Sequence, residues 1–233
     1  PVNDSGIKFM VLSSERYLDI KKVQARTCIR TMIVTDQSEH LVTNQRTKNP
    51  GLDGDLQLME LLIHSRSEDR TPLEISAEDI AIFQYTGGTT GTSKAAIATH
   101  KNLVINTLQF KNWLPTLQEG REVFLAAIPL FHVYGMVLGM LLGISMGAPL
   151  ILVSNARDLV DLLENIQEYK PTIFPGVPLL YHALSNHPDV LAGRYSLRSL
   201  KVCISGSAPL RLETKEAFES LSGGRILEGY GLS

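Results

Sequence analysis

Cysteine is scarce in this chain of 233 residues: there are two, Cys28 and Cys203, too few for a disulfide framework or a thiolate metal site. Both stand in strand-like apolar runs, where they read as buried free thiols suited to a reducing cytoplasm. Net charge is scarce as well. Lys and Arg number 22 against 24 Asp and Glu, leaving -2 and a pI near 6.4, so the overall balance attracts neither nucleic acid nor an anionic membrane. Any phosphate binding must therefore be local. A basic start followed by an apolar run is missing too, so residues 1–6 (PVNDSG) are not a signal peptide, and the lack of an initiating Met reads as a fragment. Glycine and proline, 18 and 11, follow no period, which excludes a collagen-like repeat, and no low-complexity tract is found.

Long charge-free runs are nearly absent. The exception, Val133 to Ala156, has no Asp, Glu, Lys or Arg and is long enough for a membrane helix. Gly135, Gly139, Gly143 and Gly147 punctuate it, Ala148-Pro149 breaks it and β-rich Leu150–Val153 follows, so we read a buried helix and then a buried strand. Hydrophobic residues at 44%, charged residues at 20% and a mean hydropathy of +0.04 describe a globular chain with enough length to bury a core.

What is present is an alternation of strand-like and helix-like segments. Strands are expected at Val123–Ile128, Leu150–Val153, Thr172–Phe174, Leu200–Ser205 and Arg225–Glu228, with helices at Tyr134–Ser145, Arg157–Tyr169 and Leu212–Leu221 between them. Asn155 is the expected cap of the middle helix. This is the pattern of an α/β fold, layered mostly parallel sheets covered by helices. Earlier, Ile7–Ser13, Ser14–Arg26 and Cys28–Asp36 predict a βαβ-like opening. Residues 37–55 are polar and rich in turn formers and read as an exposed loop, a helix follows near Leu56–Arg66, and 67–78 read as another loop.

After the apolar run Ile80–Phe83 comes Gln84-Tyr85-Thr86-Gly87-Gly88-Thr89-Thr90-Gly91-Thr92-Ser93-Lys94. Glycines let backbone N–H groups approach an anion, the Thr and Ser hydroxyls add donors, and Lys94 adds a compact cation, which together make phosphate-binding chemistry. A flexible Gly/Ser/Thr surface loop is the plain alternative. A Walker A loop is excluded because Ser93 stands where Gly must precede the Lys. Three further segments stand out: Pro129-Leu130-Phe131-His132 before Gly135, Ser205-Gly206-Ser207-Ala208-Pro209-Leu210, and Glu228-Gly229-Tyr230-Gly231-Leu232-Ser233. Singly, each has an ordinary explanation: a packed histidine, a tight turn and a core tyrosine beside turn glycines.

Together, in this order, the four segments resemble the AMP-forming acyl-CoA synthetase superfamily, whose signature loop is written Y-T-[SG]-G-T-T-G-x-x-K-G. Gly87 and Glu228-Gly229-Tyr230-Gly231-Leu232 bring the wording closest to bacterial long-chain fatty acid–CoA ligases. The resemblance implies the incomplete N-terminal domain of that fold, with residues 1–79 a partial first α/β subdomain, 80–233 the ATP- and acyl-binding subdomain, and no small C-terminal domain. It implies that a fatty acid carboxylate attacks ATP to give acyl-adenylate and pyrophosphate, after which coenzyme A takes the acyl group and AMP leaves. Tyr85, Thr86, Gly87, Gly88, Thr89, Thr90, Gly91, Thr92, Ser93 and Lys94 would hold phosphates. Gly206, Ser207, Ala208 and Pro209 would lie beside adenine with Glu228, Gly229, Tyr230 and Gly231, Tyr230 stacking on the base and Ser233 reaching the α-phosphate. His132 would face the substrate carboxylate, making it and Lys94 the catalytic pair, and Gly135, Gly176, Val177 and Pro178 would wall the acyl pocket because small and kinked residues leave room for a chain. Mg²⁺ is implied, with its Glu ligand beyond Ser233, so no residue here is assigned to metal.

Ala95 departs from the family, which carries Gly there, and its methyl restricts the loop. The implied partners are small molecules, ATP, fatty acid and coenzyme A, with no nucleic acid and no transmembrane segment. The implied location is the cytoplasm, with peripheral contact at the inner membrane surface left open. Aryl-CoA ligases, luciferase-like enzymes and amino-acid adenylation domains share these motifs, and an inert nucleotide-binding fragment is the alternative of another class.

Overall fold

A computed structural model describes residues 1–36, 52, 54–66, 71–86 and 94–231. The described residues fall into two compact units, one drawn from residues 1–75 and 87–95, the other from 76–86 and 96–233. The expected α/β class is what is found.

The first unit contains α1 (Val2–Ser5), β1 (Phe9–Ser13), α2 (Ser14–Gln24), β2 (Thr31–Thr35), β3 (Leu56–Gln57) and α3 (Leu58–His64). Its strands are parallel, in the order β1-β2-β3, with Phe9 opposite Thr31 and Ile33 opposite Leu56. Alternate residues Met10, Leu12, Met32 and Val34 pack with Tyr17, Ile20 and Ile29, the period of two that buries one face of a strand. The predicted βαβ opening is therefore present, with shorter strands.

Two expectations need correction here. Cys28 is only part-buried and precedes β2, because the chain is still turning back from α2; its thiol donates to the Val2 carbonyl at 3.2 Å. Asp55, placed in the exposed loop 37–55, is buried. Its carboxylate accepts from the Tyr17 hydroxyl at 3.0 Å, Lys21 Nζ at 2.7 Å and the Met32 N–H at 2.8 Å. Burial lifts its pKa, but those donors outweigh burial and hold the carboxyl below its ordinary range. Of the rest of that predicted loop, 37–51 and 53 lie outside the described residues.

The second unit opens with β4 (Ile80–Thr86), all but the first two residues of its neighbour β5 (Lys94–Thr99), and α4 (His100–Trp113). Thr99 and Asn102 cap α4 reciprocally, side chain to backbone in both directions. Next come β6 (Phe124–Ala126), a π-helix (Gly135–Leu141) that runs into α5 (Leu142–Ser145), β7 (Leu150–Leu152), α6 (Leu159–Tyr169), β8 (Ile173–Gly176), α7 (Pro178–Ser185), α8 (Pro188–Leu191), β9 (Val202–Ser205), α9 (Leu212–Ser222) and β10 (Arg225–Glu228). All five predicted strands from 123 onward are found. The cap of α6 is Asp158, whose side chain accepts from the Asp161 N–H, and not Asn155, whose side chain accepts from the Arg157 N–H in a local turn.

Five parallel strands lie in the order β10-β9-β8-β6-β7. The chain steps from β6 out to β7, then crosses back and builds β8, β9 and β10 in the other direction. Right-handed crossovers require those two directions to place their helices on opposite faces. The packing agrees: Leu138 of the π-helix, Leu142 and Phe110 cover Phe124, Ile173 and Ile204, while α6, α7 and α9 cover Leu125, Phe174, Cys203 and Ile226. Strands buried on both faces account for the near-continuous apolar runs in the sequence. Among the described residues, no helix is long and apolar enough to cross a membrane.

Candidate functional site

Since the strands run one way, the turns after β6, β8, β9 and β10 all leave at the carboxyl edge of the sheet. Each holds a predicted segment: Ile128–Gly135, Gly176–Pro178, Gly206–Pro209 and Gly229–Gly231. The order reverses between β6 and β8, so their turns lead to helices on opposite faces and a crevice opens outside the strand ends. β6 and β8 pair at Phe124 opposite Ile173, and two residues later Pro175 has no N–H to continue the ladder.

His132 stands at this crevice, part-buried, and its Nδ1 accepts the Tyr134 N–H at 3.2 Å. That bond assigns the proton of the neutral ring to Nε2, making Nε2 a donor. The same turn carries Tyr134 from β6 into the π-helix, and its hydroxyl lies 2.9 Å from the Gly176 carbonyl and 2.6 Å from the Ile204 carbonyl. Burial raises the pKa of this phenol, so it stays protonated and a proton donor. From the other face Tyr181 offers its hydroxyl to the carbonyls of Phe174 and Ile204, each at 2.8 Å.

These rings explain two glycines. A Cβ at Gly206 would lie 3.1 Å from the Tyr134 ring, and one at Gly176 would lie 2.8 Å from the Tyr181 ring. At Gly135 a Cβ would strike the carbonyls of Pro129 and Ile128. The positions that a side chain would take at Gly135 and Gly176 are thus occupied by protein atoms, so smallness there serves packing. Val177 and Pro178 begin α7 at the crevice, Pro178 in the first helical turn where its missing N–H is harmless.

On the β9 side Ser207 has φ of 71°, a left-handed conformation that a non-glycine residue adopts with strain. Ser207, Ala208 and Pro209 are exposed. The turn is tied to β10: Gly229 N–H donates to the Ser205 carbonyl at 2.8 Å, and Leu210 N–H to Glu228 Oε2 at 3.4 Å. Tyr230 is 92% exposed, so it is no core tyrosine. Ser205 is 2% exposed, and its hydroxyl is buried without a partner among the described residues.

Tyr85 and Thr86 end β4 and Lys94 begins β5; Gly87–Ser93 between them, like Ser233, lie outside the described residues. Sequence reasoning assigned no role to Tyr134, Tyr181 or Ser205. Tyr134 lay inside a quoted segment, but the contacts that distinguish it come from residues 42 and 70 positions away.

The family model described as AMP-binding enzyme matches residues 1–233. The chain belongs to the AMP-binding enzyme family. Among relatives, the long-chain-fatty-acid–CoA ligase of Bacillus subtilis (strain 168) is 44% identical over 155 residues, covering 66% of this chain and 27% of that protein. The long-chain-fatty-acid–CoA ligase of Salmonella typhimurium is 31% identical over 246 residues, covering all of this chain and 44% of its own length. The chain therefore spans less than half the length of these curated relatives. The crystal structure of the anthranilate CoA ligase AuaEII in complex with anthranoyl-AMP superposes with a TM-score of 0.78 at 22% identity, over 99% of this chain and 42% of that one. At that identity the likeness shows the fold, which is that of an AMP-binding enzyme.

Proposed function

We propose that this chain is the nucleotide- and acyl-binding core of an acid–thiol ligase that activates a long-chain fatty acid. A carboxylate oxygen attacks the α-phosphorus of ATP, expelling pyrophosphate and forming the acyl-adenylate; the thiol of coenzyme A then attacks the acyl carbon and AMP leaves. The observation that carries this reading is the convergence of the three later motif segments, with Gly176–Pro178, on the carboxyl edge of the sheet whose strand order reverses between β6 and β8. Residues 1–79 serve as a partial first subdomain and 80–233 as the ligand-binding one.

The share of these residues is positioning and charge stabilisation. His132, with its proton on Nε2, donates to the substrate carboxylate. Gly206–Pro209 and Glu228–Gly231 line the adenine side, where the exposed Tyr230 ring supplies a stacking face. Thr86 to Lys94 hold the β- and γ-phosphates, and Val177 and Pro178 flank the acyl chain. Among the described residues no group of three or more His, Cys, Asp or Glu is placed to hold a metal ion, so no step is assigned to Mg²⁺ through them.

The long-chain preference rests on the names of the two ligases above, while the anthranoyl-AMP complex keeps an aryl acid as the second reading. Pyrophosphate exchange across fatty and aryl acids, in the longest protein that contains this segment, separates the two. Isothermal titration with ATP tests the loop directly: Lys94→Ala should weaken binding about tenfold, the loss of one charge-assisted contact, and unchanged affinity would remove the phosphate assignment.

A further inference from the structure

We propose that Tyr134 is a positioning residue of this site, its hydroxyl holding the carbonyl ends of β8 and β9 at the separation that the acyl-side and adenine-side turns require. This rests on the reading above. Three contacts lead to it. The phenol oxygen sits between the Gly176 and Ile204 carbonyls at 2.9 and 2.6 Å, so one proton serves the last residue of β8 and the third residue of β9. The ring fills the space beside Gly206, where a Cβ would lie 3.1 Å from it. The backbone N–H donates to His132 Nδ1 at 3.2 Å. One residue thereby touches the carboxylate-facing histidine, the acyl-side turn and the adenine-side turn.

Tyr181 shows what a purely structural tyrosine looks like in the same sheet. It is fully buried and packs edge-on between Phe174 and Phe218, with ring centroids 5.3 and 4.9 Å away. Its hydroxyl grips the carbonyls of Phe174 and Ile204, inside the ladder. Tyr134 differs in its other contacts: besides the Gly176 carbonyl, its ring lies against Gly206 and its N–H donates to His132 Nδ1.

Removing the Tyr134 hydroxyl orphans no carbonyl. Gly176 O keeps the Gly206 N–H at 3.2 Å, and Ile204 O keeps Tyr181. Stability should therefore change little, and the fixed spacing alone is lost. That separates positioning from bracing.

The experiment compares Tyr134→Phe and Tyr181→Phe in the 233-residue chain, by urea unfolding, AMP titration calorimetry and NMR-detected hydrogen exchange of the Gly206 amide. Tyr134→Phe should unfold near the wild-type midpoint, bind AMP about fivefold more weakly and exchange the Gly206 N–H about fivefold faster, the size of one hydrogen bond. Tyr181→Phe should lose more stability, while its folded form keeps AMP affinity within about twofold. Wild-type AMP affinity together with wild-type Gly206 exchange in Tyr134→Phe would overturn the proposal, as would an equal loss of affinity in Tyr181→Phe. If the wild-type chain does not bind AMP, the functional reading fails on its own, and Gly206 exchange still decides Tyr134: faster exchange in the Phe variant supports the spacing role and unchanged exchange overturns it.

Discussion

The two edges of the five-stranded sheet treat their polar groups in opposite ways. At the amino edge, Glu122, Thr172 and Lys201 precede β6, β8 and β9, and they satisfy one another. The Glu122 carboxylate, 2% exposed, accepts from the Thr172 hydroxyl at 2.6 Å, the Gln118 N–H at 3.1 Å and Lys201 Nζ at 3.5 Å. Thr172 in turn accepts the Val123 N–H at 3.0 Å. At the carboxyl edge Ser205 keeps a buried hydroxyl without a partner among the described residues, Ser207 holds a strained φ, and Tyr230 stands in solvent. The division is one of degree: Ser199 before β9 also keeps a buried hydroxyl without a partner among the described residues and Lys170 before β8 also has positive φ, but at the carboxyl edge such features stand together with an exposed aromatic ring, where strain and unpaired groups collect at functional positions.

The sharpest way to break that division is at Glu122. Glu122→Ala strands the Gln118 N–H and takes away the Thr172 acceptor, while Lys201, largely exposed, turns to water, so we expect a loss of about 2–3 kcal/mol in urea unfolding. AMP affinity of the folded protein should not move; a parallel fall in affinity would mean that the edges are not separable. Next is Gly176→Ala at the other edge. Its methyl would meet the Tyr181 ring at 2.8 Å, which overpacks a buried site and should cost about 2 kcal/mol. Here affinity for AMP should fall with stability, because the turn after β8 must shift.

Asp55 offers the same contrast in the first unit, as a buried carboxylate closed by its own donors. Its pKa is depressed in the fold, so its stabilisation is present above the ordinary value of 3.8 and is lost as pH falls through the lower folded value. Lys21 is raised by its hydrogen bond to Asp55, and that contribution is kept below 10.5 and lost only as pH rises through the higher folded value. Asp55→Asn should cost about 1–2 kcal/mol at neutral pH and flatten the acid limb of the stability curve. An unchanged acid limb, followed by circular dichroism, would show that the three donors do not hold the charge.

How much of this was legible in the sequence follows from what each feature depends on. The inner strands β6, β8 and β9 were visible because they are buried on both faces, β7 and β10 because their short apolar runs are bounded by turn residues, and the phosphate-type loop and the three later segments because their chemistry is local. The helix expected over Tyr134–Ser145 is found, but its π register was not legible, since an apolar segment with no polar face gives no period to measure. β5 and α4 went unassigned because Val104, Ile105 and Leu108 are exposed and blur the helical stripe. Asp55 was hidden inside a polar stretch, since the partners that bury it, Tyr17 and Lys21, come 38 and 34 residues earlier. Gly176 was singled out as a small residue at a strand end, and the ring that a side chain there would meet was not legible, because it comes from the following helix.

The smallest effect is also the closest comparison, since each edge carries one non-glycine residue with positive φ: Lys170 at 49° before β8, and Ser207 at 71° after β9. Lys170 ends α6, and Lys170→Gly should gain about 0.5–1 kcal/mol by removing the Cβ clash of a left-handed helix end, with AMP binding untouched. Ser207→Gly removes the same clash but frees a turn that has no helix to follow, so its gain should be smaller, at most about 0.5 kcal/mol. If that strained turn is preset for adenine, the freedom granted by glycine should weaken AMP binding about two- to threefold, a modest entropy cost paid on association. Ser207→Gly that gains stability and keeps full AMP affinity would make its strain equivalent to that of Lys170, and the difference between the two edges would then rest on Tyr134, Ser205 and Tyr230 alone.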